Sequence, residues 1–351
     1  MPHESSPKHL KIVGPEGNTL ERVLAPEGLL AVAPKLPAMR TLSLELVAFE
    51  YLEDLFRIIA AFPHLEVLCI NGLLLEDSYE KRKLAFELPR SYPTADFPPL
   101  RSLNVRWGMG HGEGEFLHKL REYKTFLRLQ SLVVTFSERM RQQEPYETFI
   151  PAIGELLHHI SISGTFYRTP VFVPPTYARL TQSLASCRSL RSLRIGYPPF
   201  VCNLSDQLCT LLERPDAPFP QLQALSLLVP EFAGTQIVGE QFPGRLAAAM
   251  LRRERYPSFA TLTVAVQAPT FLQQGAEARP EGEGDPASAE WMDDLSSMDL
   301  GGESEDEDEG GDSEQHIRKD LLAQWRAFFS AFVEVEGVSL NVTFQDHPTY
   351  E

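Results

Sequence analysis

The stretch Phe62-Pro63-His64-Leu65-Glu66-Val67-Leu68-Cys69-Ile70 has the form aromatic-Pro-x-Leu-x-x-Leu-x-Ile, and this form recurs along the 351-residue chain. Closely related copies begin at Leu36, Phe97, Phe219 and Tyr256. Weaker copies without the proline begin at Phe126, Gly154 and Cys187. An internal repeat of roughly 20–50 residues is typical of a solenoid, in which neighbouring units stack into one continuous core.

The first apolar residue after the proline position, called the anchor below, shows how regular the repeat is. Successive anchors are 26, 35, 29, 28, 33, 32 and 37 residues apart, and they are Met39, Leu65, Leu100, Leu129, Leu157, Leu190, Leu222 and Phe259. A degenerate opening unit starts at Pro7, and a closing unit starts at Val335, 76 residues after the last anchor. The spacing therefore predicts about 8–10 irregular repeats.

Each copy predicts a strand, and the segments between copies predict helices. Apolar residues at the anchor and at three and five residues after it match a strand whose alternate side chains face a core. The proline indicates that a preceding helix ends there. Apolar residues of 52–62, 180–187, 208–212 and 317–332 recur at helical spacing, with Ser205 as a predicted N-cap. Strands that alternate with helices favour an α/β fold with a parallel sheet.

An acidic segment interrupts this pattern. From Gly275 to His316 there are 16 Asp and Glu residues and one basic residue, Arg279, whereas the rest of the chain has 32 acidic and 31 basic residues. Such a composition cannot bury enough apolar surface to offset the loss of chain entropy. We expect a repeat array over 1–274, a disordered acidic insert over 275–316, and the last helix and closing strand over 317–351.

The phrases at Phe62–Ile70, Phe97–Val105 and Phe219–Leu227 resemble the leucine-rich-repeat region of fungal F-box/leucine-rich-repeat proteins, and the resemblance covers roughly residues 7–345. It implies a leucine-rich-repeat-like solenoid, a curved parallel sheet with helices on its convex face. In that family an N-terminal F-box holds the ubiquitin-ligase adaptor and the repeats hold the substrate. The F-box itself is not evident here, because Leu24-Ala25-Pro26-Glu27 is the nearest match to its Leu-Pro-x-Glu start.

The sequence offers poor signals for catalysis, cofactors or metals, so we expect no enzyme. The glycine-rich stretch Gly108–Gly114 lacks both the dinucleotide-binding spacing and the Gly-Lys-Ser/Thr of a phosphate loop. His158 and His159 are adjacent on a predicted strand and would face opposite sides. Neither Cys202 nor Cys209 has an evident basic activator.

Composition also indicates which classes of partner and which cellular compartment to expect. The four cysteines are too few and too scattered for a disulfide scaffold, and neither an apolar signal region nor a long apolar run is present. We expect an intracellular protein, cytoplasmic or nuclear, without membrane association. Basic residues do not gather into a nucleic-acid site, and a solvated helix end explains Arg252, Arg253 and Arg255, so no nucleic-acid partner is expected.

These observations favour a non-enzymatic scaffold that binds a protein partner on the concave face of the sheet. The residues four and six positions after each anchor point away from the core, and most are small or polar. The candidate contact residues are Glu45, Asn71, Asn104, Arg106, Thr135 and Arg194. Two alternatives stay open: a substrate receptor of an SCF-type ubiquitin ligase that lacks a recognisable F-box, and an acidic nuclear or chaperone-like factor that acts through the insert.

The insert contains an apolar island at Trp291, Leu295 and Met298, spaced to share one face of a helix. One hypothesis is a linear motif that folds into a groove on a partner. Another is that the island docks on the repeats of its own chain, and a third is that these apolar residues have no role.

The composition of the insert predicts that it is structurally dispensable. Replacing Glu277–Glu314 with a short Gly/Ser linker should leave the thermal unfolding transition nearly unchanged, because the segment lacks the apolar residues that a core requires. Differential scanning calorimetry measures this. A large loss of cooperativity would show that the segment packs into the array.

Overall fold

A computed structural model describes residues 7–14, 26–49, 51–75, 97–107, 113–122, 128–137, 144–165, 177–196, 204–230, 239–267, 310–333 and 335–345. The strands are β1 His9–Val13, β2 Thr41–Glu45, β3 Ala48–Phe49, β4 Val67–Leu75, β5 Ser102–Trp107, β6 Ser131–Ser137, β7 His159–Thr165, β8 Ser192–Gly196, β9 Ala224–Pro230, β10 Thr261–Gln267 and β11 Ser339–Gln345. The helices are α1 Pro26–Val32, α2 Leu52–Ala60, α3 Glu113–Glu122, α4 Glu144–Ile153, α5 Tyr177–Leu184, α6 Leu204–Leu212, α7 Phe242–Met250 and α8 Gly310–Phe328.

Ten of the strands form one parallel sheet in sequence order, from β1 and β2 through β4 to β11, and the short β3 pairs with β4. Equivalent positions of the repeat stand level across neighbouring strands. Leu42 is level with Leu68, and Leu68 with Leu103. The prediction of an α/β fold with a parallel sheet is therefore confirmed.

The sheet is joined at the start of its strands by a repeated hydrogen-bond pattern. The backbone carbonyl of the residue after one anchor accepts the N–H groups of the two residues after the next anchor. The Arg101 carbonyl, for example, accepts from Gln130 at 2.8 Å and Ser131 at 3.0 Å. The same paired bonds, at 2.7–3.0 Å, join β1 to β2, β2 to β4, and each neighbouring pair from β4 to β10. Each unit is thus held at one height relative to the next.

The Pro of the repeated phrase lies in a turn that delivers the chain to this start point. The anchor N–H of Leu65 donates to the Phe62 carbonyl at 3.0 Å, and that of Leu222 donates to the Phe219 carbonyl at 3.0 Å. Pro63 and Pro220 occupy the second position of these four-residue turns, where the fixed φ of proline is favourable and its missing N–H costs nothing. The phrase therefore encodes a turn followed by a strand.

The core lies on one side of the sheet, between the strands and the helices. All eight anchors are buried, as are all eight residues at each of the positions three and five after the anchor. The predicted apolar face of α2 is buried as well. Trp325 of α8 and Phe329, the residue after the helix, stack with ring centroids 6.2 Å apart and extend the same core. The register predicted for the eight phrases is confirmed by this burial.

The structure differs from the sequence-based expectations at three places. In the closing unit, Leu340 is level with Leu262, so the anchor position falls on Gly337 and not on Val335. Ser205 is buried as the second residue of α6, which begins at Leu204, and is not an N-cap. Helix α8 begins at Gly310, inside the segment predicted as insert. Residues 275–309 lie outside the described ranges.

Mutations that lower the free energy of unfolding can show which side of each strand faces the core. Leu68→Ala and Leu103→Ala should each lower the free energy of unfolding by about 2–5 kcal/mol, because both side chains are fully buried and leave cavities. Glu66→Ala and Arg101→Ala should cost about 1 kcal/mol or less, since Glu66 makes a partly exposed ion pair and Arg101 is exposed. Urea denaturation measures both. Equal losses in the two pairs would contradict the assignment of faces.

Candidate binding surface on the second sheet face

The face of the sheet opposite the core, called the second face, is formed by the residues four and six positions after each anchor. From β2 to β8 these side chains are half-buried, with Gly196 of β8 as the buried exception. All six candidate contact residues lie on this face. Glu45, Asn71, Arg106 and Thr135 form one continuous row across β2, β4, β5 and β6. Asn104 of β5 and Arg194 of β8 lie in the parallel row nearer the strand starts.

The β1–β2 end of the second face carries paired charges. Lys11 Nζ lies 2.9 Å from Glu45 Oε2, and the Ser43 hydroxyl donates to Glu45 Oε1 at 3.5 Å. Towards the opposite end, Leu228 of β9 and Ala265 of β10 are only 9% and 8% exposed, whereas Asn341 and Thr343 of β11 are polar and exposed. The Glu45 carboxylate is thus engaged within the sheet, which weakens its candidacy as a contact for a partner.

The centre of the second face combines arginines with hydroxyl groups. Arg194 is half-buried between Ser161 of β7 and Ser226 of β9, and its burial lowers the pKa of its guanidinium. In the neighbouring row, the Thr135 and Ser163 hydroxyls are 3.1 Å apart. Arg194 thus lies between two small hydroxyl residues of the neighbouring strands.

Sequence reasoning missed a second group of polar side chains at the strand starts. The residues one and two positions after each anchor, called the strand-start margin, include Arg101 on the approach to β5, His158 and His159 at β7, and Arg191 at β8. Arg101, His159 and Arg191 are exposed. Partial burial, His158 and Arg191 together lower the pKa of His159. The repeat could have identified these polar residues from the sequence, since the same two positions follow every anchor.

The three cysteines in the described ranges, Cys69, Cys187 and Cys209, all have thiol pKa values raised by burial. Burial raises the pKa of the Cys187 and Cys209 thiols to about 12. Cys69, on the second face, has its thiol pKa raised by burial and, to a smaller extent, by Glu45. Thiols with raised pKa values are poor nucleophiles at neutral pH because little thiolate is present. Cys202 lies outside the described residues.

Metal-ligand side chains are not clustered in the described part of the chain. No group of three or more His, Cys, Asp or Glu side chains within these ranges could hold a metal ion. A pocket beneath β7 and β8, lined by Leu180, Thr181, Leu184 and Leu204 of α5 and α6, has a volume of about 10 Å³, room for about one water molecule. Gly108–Gly112 and the island at Trp291, Leu295 and Met298 lie outside the described residues.

Comparison with known proteins leaves the family open. No protein-family model matches the chain, and no curated protein matches it significantly. Among the described helices, none is long and apolar enough to cross a membrane. The sheet and its side chains are therefore the features that bear on function.

The thiol of Cys69 reports on the electrostatics of the second face. Glu45→Gln should speed the alkylation of Cys69 by iodoacetamide at pH 8, because it removes one of the two effects that raise the thiol pKa and increases the thiolate fraction. Peptide mass spectrometry measures the rate at this residue. Glu66→Gln is the matched control, and equal acceleration by that variant would contradict the assignment to Glu45.

Proposed function

We propose that the chain is a non-enzymatic scaffold, a leucine-rich-repeat-like solenoid with a concave sheet face that holds a protein partner. The observation that carries this proposal is the in-register parallel sheet of ten strands, which aligns side chains into rows across the second face. Helices and aromatic residues fill the other side. The rows offer a broad surface of small and polar residues, which suits an extended contact with a protein better than a pocket for a small molecule.

The proposal of a ubiquitin-ligase receptor is a special case of this scaffold. It adds one requirement, a surface that binds the ligase adaptor, while the second face holds the substrate. Co-purification with the adaptor separates the two versions. The acidic-factor alternative places function in residues 275–316, so a chain without that segment would lose its partners although the second face is intact.

The first test of the scaffold proposal blocks the face without changing its charge. Ser161→Trp places a large ring among the central rows of the second face and should abolish the capture of partners in affinity purification with mass spectrometry. Ala152→Trp, on the exposed side of α4, is the matched control and should capture the same partners as wild type. Undiminished capture by Ser161→Trp, with an unchanged melting temperature, would move the site away from this face.

A second variant tests whether the arginines of the second face contribute to partner binding. Arg106→Glu combined with Arg194→Glu should also abolish capture, since arginine is favoured among the residues that dominate binding energy at interfaces. The control for the charge change is Arg179→Glu combined with Arg326→Glu, two exposed helix positions. Loss of the same partners in both double variants would show a general charge effect.

A further inference from the structure

The polar positions at the centre of the sheet carry positive charges and no negative ones. The central face is defined here by Arg101, Ser102, Asn104 and Arg106 at β5, together with the residues level with them at β6, β7 and β8. These sixteen positions include four arginines, two histidines, five serines, one threonine and no acidic residue. The remaining four are Asn, Gln, Val and Gly. Arginine and hydroxyl side chains donate hydrogen bonds, so the central face suits a ligand rich in anionic oxygen atoms.

The flanking strands do not share this charge. At the same positions of β2 and β4, the two acidic residues are Glu45 and Glu66, and each forms an ion pair with a basic neighbour, Lys11 and Arg40 respectively. At the same positions of β9, β10 and β11 there is no charged residue. The positive charge is therefore concentrated on β5 to β8, and the repeat itself does not require it.

The spacing of the arginines matches an extended peptide. Arg101 and Arg191 stand at the same level on strands three apart, so about 14 Å separates them at roughly 4.8 Å per strand. In an extended chain, residues four apart are separated by about 13 Å and point to the same side. Two carboxylates at that spacing would meet the two arginines, with Gln130 and His158 level with them on the two strands between.

We propose that the central face binds an extended acidic segment of a partner protein, running across β5 to β8, in which Asp or Glu residues four apart contact Arg101 and Arg191. This inference rests on the proposed function and adds the chemical class of the partner. A nucleic acid is the weaker choice, because the sixteen positions include no Phe, Tyr or Trp on which bases could stack.

The experiment uses fluorescein-labelled decaglutamate as the probe and measures its fluorescence anisotropy at two salt concentrations. Extended, the probe spans about 33 Å, enough to cross the four strands. Two forms are compared, the full chain and a form with residues 275–309 replaced by a Gly/Ser linker, which retains α8 from Gly310. Arg101→Gln combined with Arg191→Gln removes two exposed side chains whose backbone groups stay in the sheet. Arg179→Gln combined with Arg326→Gln is the control of equal charge change.

We expect both forms to bind the probe, with affinity falling as salt rises. The Arg101 and Arg191 double variant should bind about tenfold more weakly or worse, and the control should bind as wild type. Equal weakening in the two double variants would overturn the proposal, as would tighter binding of a 12-nucleotide single-stranded DNA. Binding by the linker form alone would overturn the assignment to a separate partner and give the central face to the acidic segment of this chain.

The outcome for the proposed function is read separately. If decaglutamate fails to bind while Ser161→Trp still abolishes capture of partners, the second face is a binding surface and the acidic class of partner is wrong. If Ser161→Trp captures partners normally, the scaffold proposal fails whatever the probe does.

Discussion

The carbonyl that accepts two N–H groups at the start of each strand is the constraint on which this architecture depends. It fixes the height of each unit relative to its neighbour, as when the His158 carbonyl accepts from Arg191 at 2.8 Å and Ser192 at 3.0 Å. A parallel sheet has no tight hairpins to set its register. Here the turn that ends at the anchor sets it, and the buried residues after the anchor prevent slippage by one residue, which would move every apolar side chain out of the core.

A fixed register has a chemical consequence, because it converts positions that are far apart in sequence into rows. Asn71, Arg106 and Thr135 are separated by about thirty residues each and yet stand on adjacent strands. The core needs only the anchor and the residues three and five after it. The intervening positions are free to vary, and the differences among the β1–β2 end, β5–β8 and β9–β11 lie there. Any specificity for a partner is therefore carried by residues that the fold does not require.

Much of the fold could be predicted from the sequence because the repeated phrase contains both the turn and the strand. Leu68 and Leu103 are buried where the pattern placed them. The closing strand was predicted two residues out of place, because Gly337 stands at the anchor position and provides no apolar side chain to recognise. The six candidate residues lie opposite the core, as the alternation along the strands predicts, but the alignment of Arg101 with Arg191 was not predicted. Their significance depends on strands three apart being level, which no local pattern shows.

The placement of charges on β5 to β8 follows from the range of electrostatic forces. Two unit charges at 14 Å repel by only about 0.3 kcal/mol in water, compared with about 0.9 kcal/mol at the 4.8 Å spacing of adjacent strands. Arg101 and Arg191 can therefore share one face at little cost. His159 lies on the strand next to Arg191. Burial, and to a smaller extent His158 and Arg191, lower the pKa of His159, so the neutral form of the imidazole is favoured. Within β5 to β8 the arginines thus lie on β5 and β8, with two strands that carry no arginine between them, a separation that an extended ligand can still span.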